Sequence, residues 1–257
     1  MQRVILLGAS NLTYALPLLF ESLSSTLTPP LEIVAAHGHG RSFGTWSRVL
    51  CRSLPGISHS QLWSDLDSSN VQPTKTLALI TDIGNDLLYG ADVEQIIVWV
   101  DSCLNRLDEQ RAEIVMTALP MVSISRLSAW RYYLTRAIFF PASSVSWIKI
   151  LDRVHCLNES LRKIAEEHKA TLLEPDTNWY GLDPIHIRAT HRVRAWRTIL
   201  APWPVFDEQP PNLKRSSPLA ALRLWTMRPA ERRICGRRQI AEQPVLSRNG
   251  EVTLWLY

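Results

Sequence analysis

Long apolar runs are missing from this chain. Segments such as Val4–Leu7 and Leu77–Ile80 fall far short of the ~18 consecutive apolar residues a membrane span needs. The first residues offer one basic side chain, Arg3, and a brief apolar run ending at Gly8-Ala9-Ser10. That is too short for the core of a secretory signal and reads as a first strand, so a cytoplasmic chain is expected. Cysteine is scarce too: Cys51, Cys103, Cys156 and Cys235 lie more than 50 residues apart, with no C-x-x-C and no Cys/His cluster. A zinc ribbon or disulfide scaffold is excluded on that pattern, and buried, reduced thiols are expected. Gly8 lacks the further glycines of a dinucleotide fingerprint, and no G-x-x-x-x-G-K-[ST] occurs, so no nucleotide cofactor is expected. His37 and His39 stand two apart with no third ligand in view, so no metal is expected either.

What the chain does have is core-forming material. Of 257 residues, 46% are hydrophobic, enough to exclude global disorder and to build one large domain or a domain with an appendage. The net charge of +4 is unevenly placed. From Arg192 onward there are 12 Lys and Arg against 5 Asp and Glu, a net of +7, which leaves 16 against 19 upstream, a net of −3. A basic tail suits an acidic partner. Its arginines, among them Arg192, Arg194, Arg197, Arg232, Arg233, Arg237 and Arg238, follow no RNP, zinc-finger or basic-zipper pattern, so no nucleic acid is expected.

Apolar periodicity predicts strands alternating with helices. Residues 3–8, 31–36, 76–80, 113–119 and 170–173 read as five strands, each closed by a glycine or proline or opening into a loop. Leu12, Leu16, Leu19 and Leu23 lie at helical spacing. Val93 to Leu107, Val154 to His168 and Ile185 to Leu200 are three further helices, Asp92 capping the first of them. Such alternation predicts an α/β fold, a three-layer αβα sandwich around a mostly parallel five-stranded sheet. Ligands of such sheets bind beyond the carboxyl ends of the strands. Residues 1–201 are expected to form this domain. The proline-rich stretch from Pro202 to Pro211 would be a linker, and residues 202–257 a basic appendage with a β-hairpin at Asn249-Gly250.

Chemistry-bearing residues collect at the predicted strand ends. Ser10 follows strand one, the loop His37-Gly38-His39-Gly40-Arg41-Ser42-Phe43-Gly44 follows strand two, Asn85 and Asp86 follow strand three, and Asp183-Pro184-Ile185-His186 precedes the last helix. Each has an ordinary reading: Ser10 as a helix cap, Asn85 and Asp86 as turn residues, His186 as a structural imidazole. Their convergence at strand ends is what points to a site.

These blocks resemble the SGNH (GDSL) hydrolase family. Gly8-Ala9-Ser10-Asn11-Leu12 is similar to its serine block, His37 to Ser42 to its glycine block, Ile83-Gly84-Asn85-Asp86 to its asparagine block, and Asp183-Pro184-Ile185-His186 to its D-x-x-H. The order is the family's, and the resemblance covers roughly the first 200 residues. Two positions depart from it: Ala9 stands where the family has Asp, and Ile83 where it has Gly. The resemblance implies a flavodoxin-like sheet and a serine esterase acting on a small-molecule, carbohydrate or lipid ester. It implies Ser10, Asp183 and His186 as triad and Ser10, Gly40 and Asn85 as oxyanion hole. A fold that has kept its shape and lost activity is the alternative, motivated by Ala9 and Ile83. Gly40-Arg41-Ser42-Phe43-Gly44 also matches the G-x-S-x-G elbow of α/β-hydrolases, with Ser42 as nucleophile. Only one strand precedes Ser42, whereas several precede the elbow in that fold. Aromatic pairs between strands four and five, Tyr132-Tyr133 and Phe139-Phe140, are placed as a lid or pocket wall, and Trp46, Trp63, Trp130, Trp147 and Trp179 as pocket or core.

Overall fold

The computed structural model describes the chain except residues 70, 127, 131, 134–145, 209, 214 and 215. Its central strand, β1 (Gln2–Leu7), is apolar on both sides: Val4 and Leu6 face one way, Ile5 and Leu7 the other, all fully buried. A strand of that kind fits only inside a sheet that helices cover on both faces. Val4 and Leu6 pack against helices α1 (Ser10–Thr26) and, later in the chain, Arg192–Leu200. Ile5 and Leu7 pack against Val93–Glu109 and Trp147–Glu167. Further helices are α2 (Leu62–Ser68), α3 (Asn85–Leu88), α5 (Met121–Ser125) and α8 (Pro218–Thr226); Val93–Glu109 is α4, Trp147–Glu167 α6 and Arg192–Leu200 α7.

The other strands are β2 (Leu31–Ala36), β3 (Ser47–Val49), β4 (Arg52–Leu54), β5 (Lys75–Ile80), β6 (Ala112–Thr117), β7 (Thr171–Leu173), β8 (Glu231–Ile234), β9 (Arg237–Ile240), β10 (Leu246–Arg248) and β11 (Val252–Leu256). The main sheet runs β10-β11-β2-β1-β5-β6-β7, parallel throughout except for β10. Five of its six parallel strands, β2-β1-β5-β6-β7, are those read from the sequence, in a doubly wound order that reverses between β1 and β5. That reversal opens a crevice at their carboxyl ends. Two more strands come from the C-terminal hairpin, so the sheet has seven strands rather than five. The hairpin expected at Asn249-Gly250 joins the sheet along β2, Leu254 lying opposite Ile33. A small antiparallel sheet, β3-β4-β8-β9, ties residues 47–54 to residues 231–240.

Two expectations need correction. The last helix starts at Arg192, not Ile185. The side chain of Asn11 accepts from Ile187 N at 2.8 Å and donates to Ile185 O at 2.8 Å, and these bonds replace the helical ones residues 185–187 would need. Of the cysteines only Cys103 is buried; Cys51, Cys156 and Cys235 are exposed. Cys51 and Cys235 occupy neighbouring hairpin turns, Cys235 N donating to Cys51 O at 2.8 Å, which sequence separation conceals. Among the described residues no helix is long and apolar enough to cross a membrane.

Candidate active site

The carboxyl ends of β1 and β5 meet closely. A Cβ on Gly8 would stand 2.6 Å from the Thr81 methyl, so only glycine lets α1 begin this near β5. Four hydrogen bonds of that junction end on Asp82. Its Oδ2 accepts the N–H of Ala9 (3.0 Å), Asn11 (2.9 Å) and Leu12 (3.2 Å), and its Oδ1 accepts the Asn11 amide (2.7 Å). The first N–H groups of a helix have no partner within it, and Ala9, at the capping position, has no side-chain acceptor to offer. Asp82 fills that role across the sheet, with its own backbone in the left-handed region at φ 61°.

Ser10, the first residue of α1, is thereby fixed at the mouth of the crevice. Its Oγ lies 2.8 Å from His186 Nε2, and His186 Nδ1 lies 2.6 Å from Asp183 Oδ2. An ionised carboxylate only accepts, so Nδ1 carries the proton and Nε2 is left to accept from the serine. Asp183 Oδ1 also takes the N–H of Ile185 and His186. Burial acts to raise the Asp183 pKa, but the His186 ring and those two backbone bonds outweigh it and hold the carboxyl below its ordinary range. Asn85 opens α3, and its amide donates to Arg41 O at 3.1 Å, next to Gly40, whose φ is +62°. A Cβ on Gly40 would meet Val49 at 2.7 Å. Among the described residues no acceptor takes the N–H of Ser10 or of Gly40.

Ser42 goes elsewhere. It is fully buried and donates to Asp86, while its Oγ accepts from Gly44 N at 3.1 Å and Thr45 N at 2.8 Å. His186 gives its Nε2 to Ser10, not to Ser42. Asp86 is itself buried, which raises its pKa, and Phe43 N and Ser42 stabilise its charge. The two loop histidines have different partners: His37 Nδ1 contacts Thr13 Oγ1 at 3.0 Å, and His39 packs on Tyr14 with ring centroids 4.8 Å apart. Burial, aided by Arg41 and Arg52, lowers the His37 pKa to about 3, so this ring is neutral in the folded protein. The unfolded chain, with its ordinary value of 6.5, then binds the proton first. Stability is undiminished above pH 6.5 and falls as the pH drops from there toward 3. Urea midpoints at pH 7 and pH 5 check this: the acid-side loss is expected to be smaller in His37→Gln than in the parent.

A cavity of about 130 Å³ extends from Ser10 and Asn85 past the ends of β5 and β6. Its walls are apolar, with Leu87, Leu119, Ile124 and Ile150 among them, and the aromatic rings of Tyr132, Trp147 and Trp179. Trp63 is core, whereas Trp46 and Trp130 are exposed. Tyr132 is thus on the wall, its neighbour Tyr133 is exposed and outside the lining, and Phe139 and Phe140 lie outside the described residues. Asp82 and Asn11 are the site residues that sequence reading passed over. Asn11 stands inside the serine block and Asp82 directly before the asparagine block, but their partners are about 70 and 170 residues away.

Comparison with solved structures gives the same architecture. A member of the lipolytic G-D-S-L family from Veillonella parvula aligns over 78% of this chain and 96% of its own, with a TM-score of 0.51 at 11% identity. This chain has the SGNH hydrolase fold. The aryl esterase of M. smegmatis aligns over 77% of this chain and 96% of its own (TM-score 0.51, 14% identity). Est24, a carbohydrate acetylesterase from Sinorhizobium meliloti, does so over the same shares, at 0.51 and 15%. No family model and no curated protein matches the sequence. At these identities the likeness is one of fold alone, and the site residues of this chain rest on its own geometry.

Proposed function

We propose that the protein hydrolyses carboxylic esters through an acyl-enzyme on Ser10. The observation that carries the reading is the continuous Ser10–His186–Asp183 chain of hydrogen bonds, 2.8 and 2.6 Å long, beside an apolar cavity. A serine hydroxyl is too weakly acidic to attack unaided. As Oγ bonds to the carbonyl carbon, its proton passes to His186 Nε2, and Asp183 stabilises the imidazolium it has already oriented. Charge moves to the former carbonyl oxygen, within reach of the unengaged N–H groups of Ser10 and Gly40 and the Asn85 amide. Collapse breaks the ester C–O bond, with His186 Nε2 returning the proton to the leaving alcohol. Water then repeats the sequence and frees the acid. The acyl chain enters the apolar cavity.

Ala9 and Ile83 do no bond-making here: Ala9 is fully buried, its N–H held by Asp82, and Ile83 belongs to the core. Reaction with a fluorophosphonate followed by peptide mass spectrometry tests the proposal. The expected result is one adduct, on Ser10, absent from Ser10→Ala. An adduct on Ser42 would support the elbow reading instead, and no adduct on any serine would make the protein a non-catalytic binding module.

A further inference from the structure

We infer that Arg52 and Arg192 form an oxyanion-binding rim on the leaving-group side of the site, so that the preferred ester carries a phosphate or carboxylate on its alcohol portion. This rests on the ester-hydrolase reading, because that reading fixes which side is which. The imidazole that protonates the departing oxygen must lie beside it, so the alcohol portion leaves past His186 while the acyl chain fills the apolar cavity. Past His186 stands the Tyr14 ring, edge-on at 5.8 Å, with His39 packed against it at 4.8 Å. Arg192 lies over Tyr14, its Cζ 5.1 Å from the ring centroid. On the His39 side, Arg52 Nη2 reaches the glycine loop and would stand 3.7 Å from a Cβ on Gly38.

Both guanidinium groups are half-buried, and neither is neutralised. Every Asp and Glu of the chain belongs to the described residues, yet none comes within 4.0 Å of Arg52 or Arg192. The nearby carboxylates are occupied: Asp183 by His186, Asp82 by α1, Asp86 by Ser42 and Phe43. Burial, together with Arg232 beside Arg52, lowers the pKa of Arg52, and burial lowers that of Arg192. Taking arginines out of water with no carboxylate to pair with is unfavourable; an incoming oxyanion relieves the cost, and the planar fork of donors matches phosphate and carboxylate geometry.

The test compares 4-nitrophenyl acetate with 3-carboxy-4-nitrophenyl acetate. The ratio of kcat/KM, charged over neutral, is expected to fall about tenfold in Arg52→Gln and in Arg192→Gln. It should fall severalfold in the parent between 20 and 300 mM NaCl, concentrations that change the screening length, and recover in part in Arg52→Lys. A ratio unmoved by both glutamine variants overturns the rim. If the parent cleaves neither ester, the hydrolase reading fails on its own. Calorimetry with phenyl phosphate and with benzoate then decides the rim: binding that is lost in Arg52→Gln supports it, and binding of neither overturns it. In either case the tighter of the two anions identifies the phosphoryl or carboxylate source.

Discussion

Replacing Ser10 by alanine is expected to lower kcat/KM toward p-nitrophenyl esters by about 10⁴-fold or more, the cost of deleting the proposed nucleophile, which would work as a unit with its base. The change removes one Oγ that, among the described residues, bonds only to His186, so the folded protein should keep its stability. Circular dichroism and urea midpoints therefore separate a chemical loss from an unfolding one. Run on esters of increasing acyl length, the same assay reads the cavity. Each methylene taken from water contributes about 0.8 kcal/mol, roughly a fourfold gain. The parent should therefore improve from acetyl upward until the cavity of about 130 Å³ is filled. Full activity in Ser10→Ala would remove this serine from the mechanism.

Asp82→Ala is expected to destabilise the protein by about 3 kcal/mol and to slow fluorophosphonate labelling of Ser10. The carboxylate is the acceptor for three backbone N–H groups at the start of α1 and for the Asn11 amide. Losing a helix cap costs about 1 kcal/mol, and each buried donor left without a partner adds about 1–3 kcal/mol. Alanine is also less suited than aspartate to the left-handed backbone at this position. Asn11 in turn holds residues 185 and 187, so a loosened α1 start displaces His186 as well as Ser10. Urea denaturation at pH 7 gives the stability change, and Asp82→Asn, which keeps one acceptor oxygen, should fall between parent and alanine. A midpoint unchanged in Asp82→Ala would show that α1 is capped by something else.

The residues legible in the sequence are those whose structure is decided by near neighbours. β1, β2 and β5 follow from two-sided apolar runs, the C-terminal hairpin from Asn249-Gly250, and the Asp183–His186 pair from a spacing of three that one loop can bridge. The candidate site was legible for the same reason: strand ends are local features, and in a doubly wound sheet they face one crevice.

What sequence alone determined was the alternation of strands and helices and the chemical groups carried at the strand ends, because both depend on interactions within a few residues. Tertiary structure alone decided that Asp82 caps α1, that β11 extends the sheet along β2, that Ser42 is buried against Asp86 rather than presented to His186, and that Arg52 and Arg192 lie without a carboxylate. Each of these joins residues tens to more than two hundred positions apart. The partner is then chosen by how the whole sheet packs, and no local pattern records that choice.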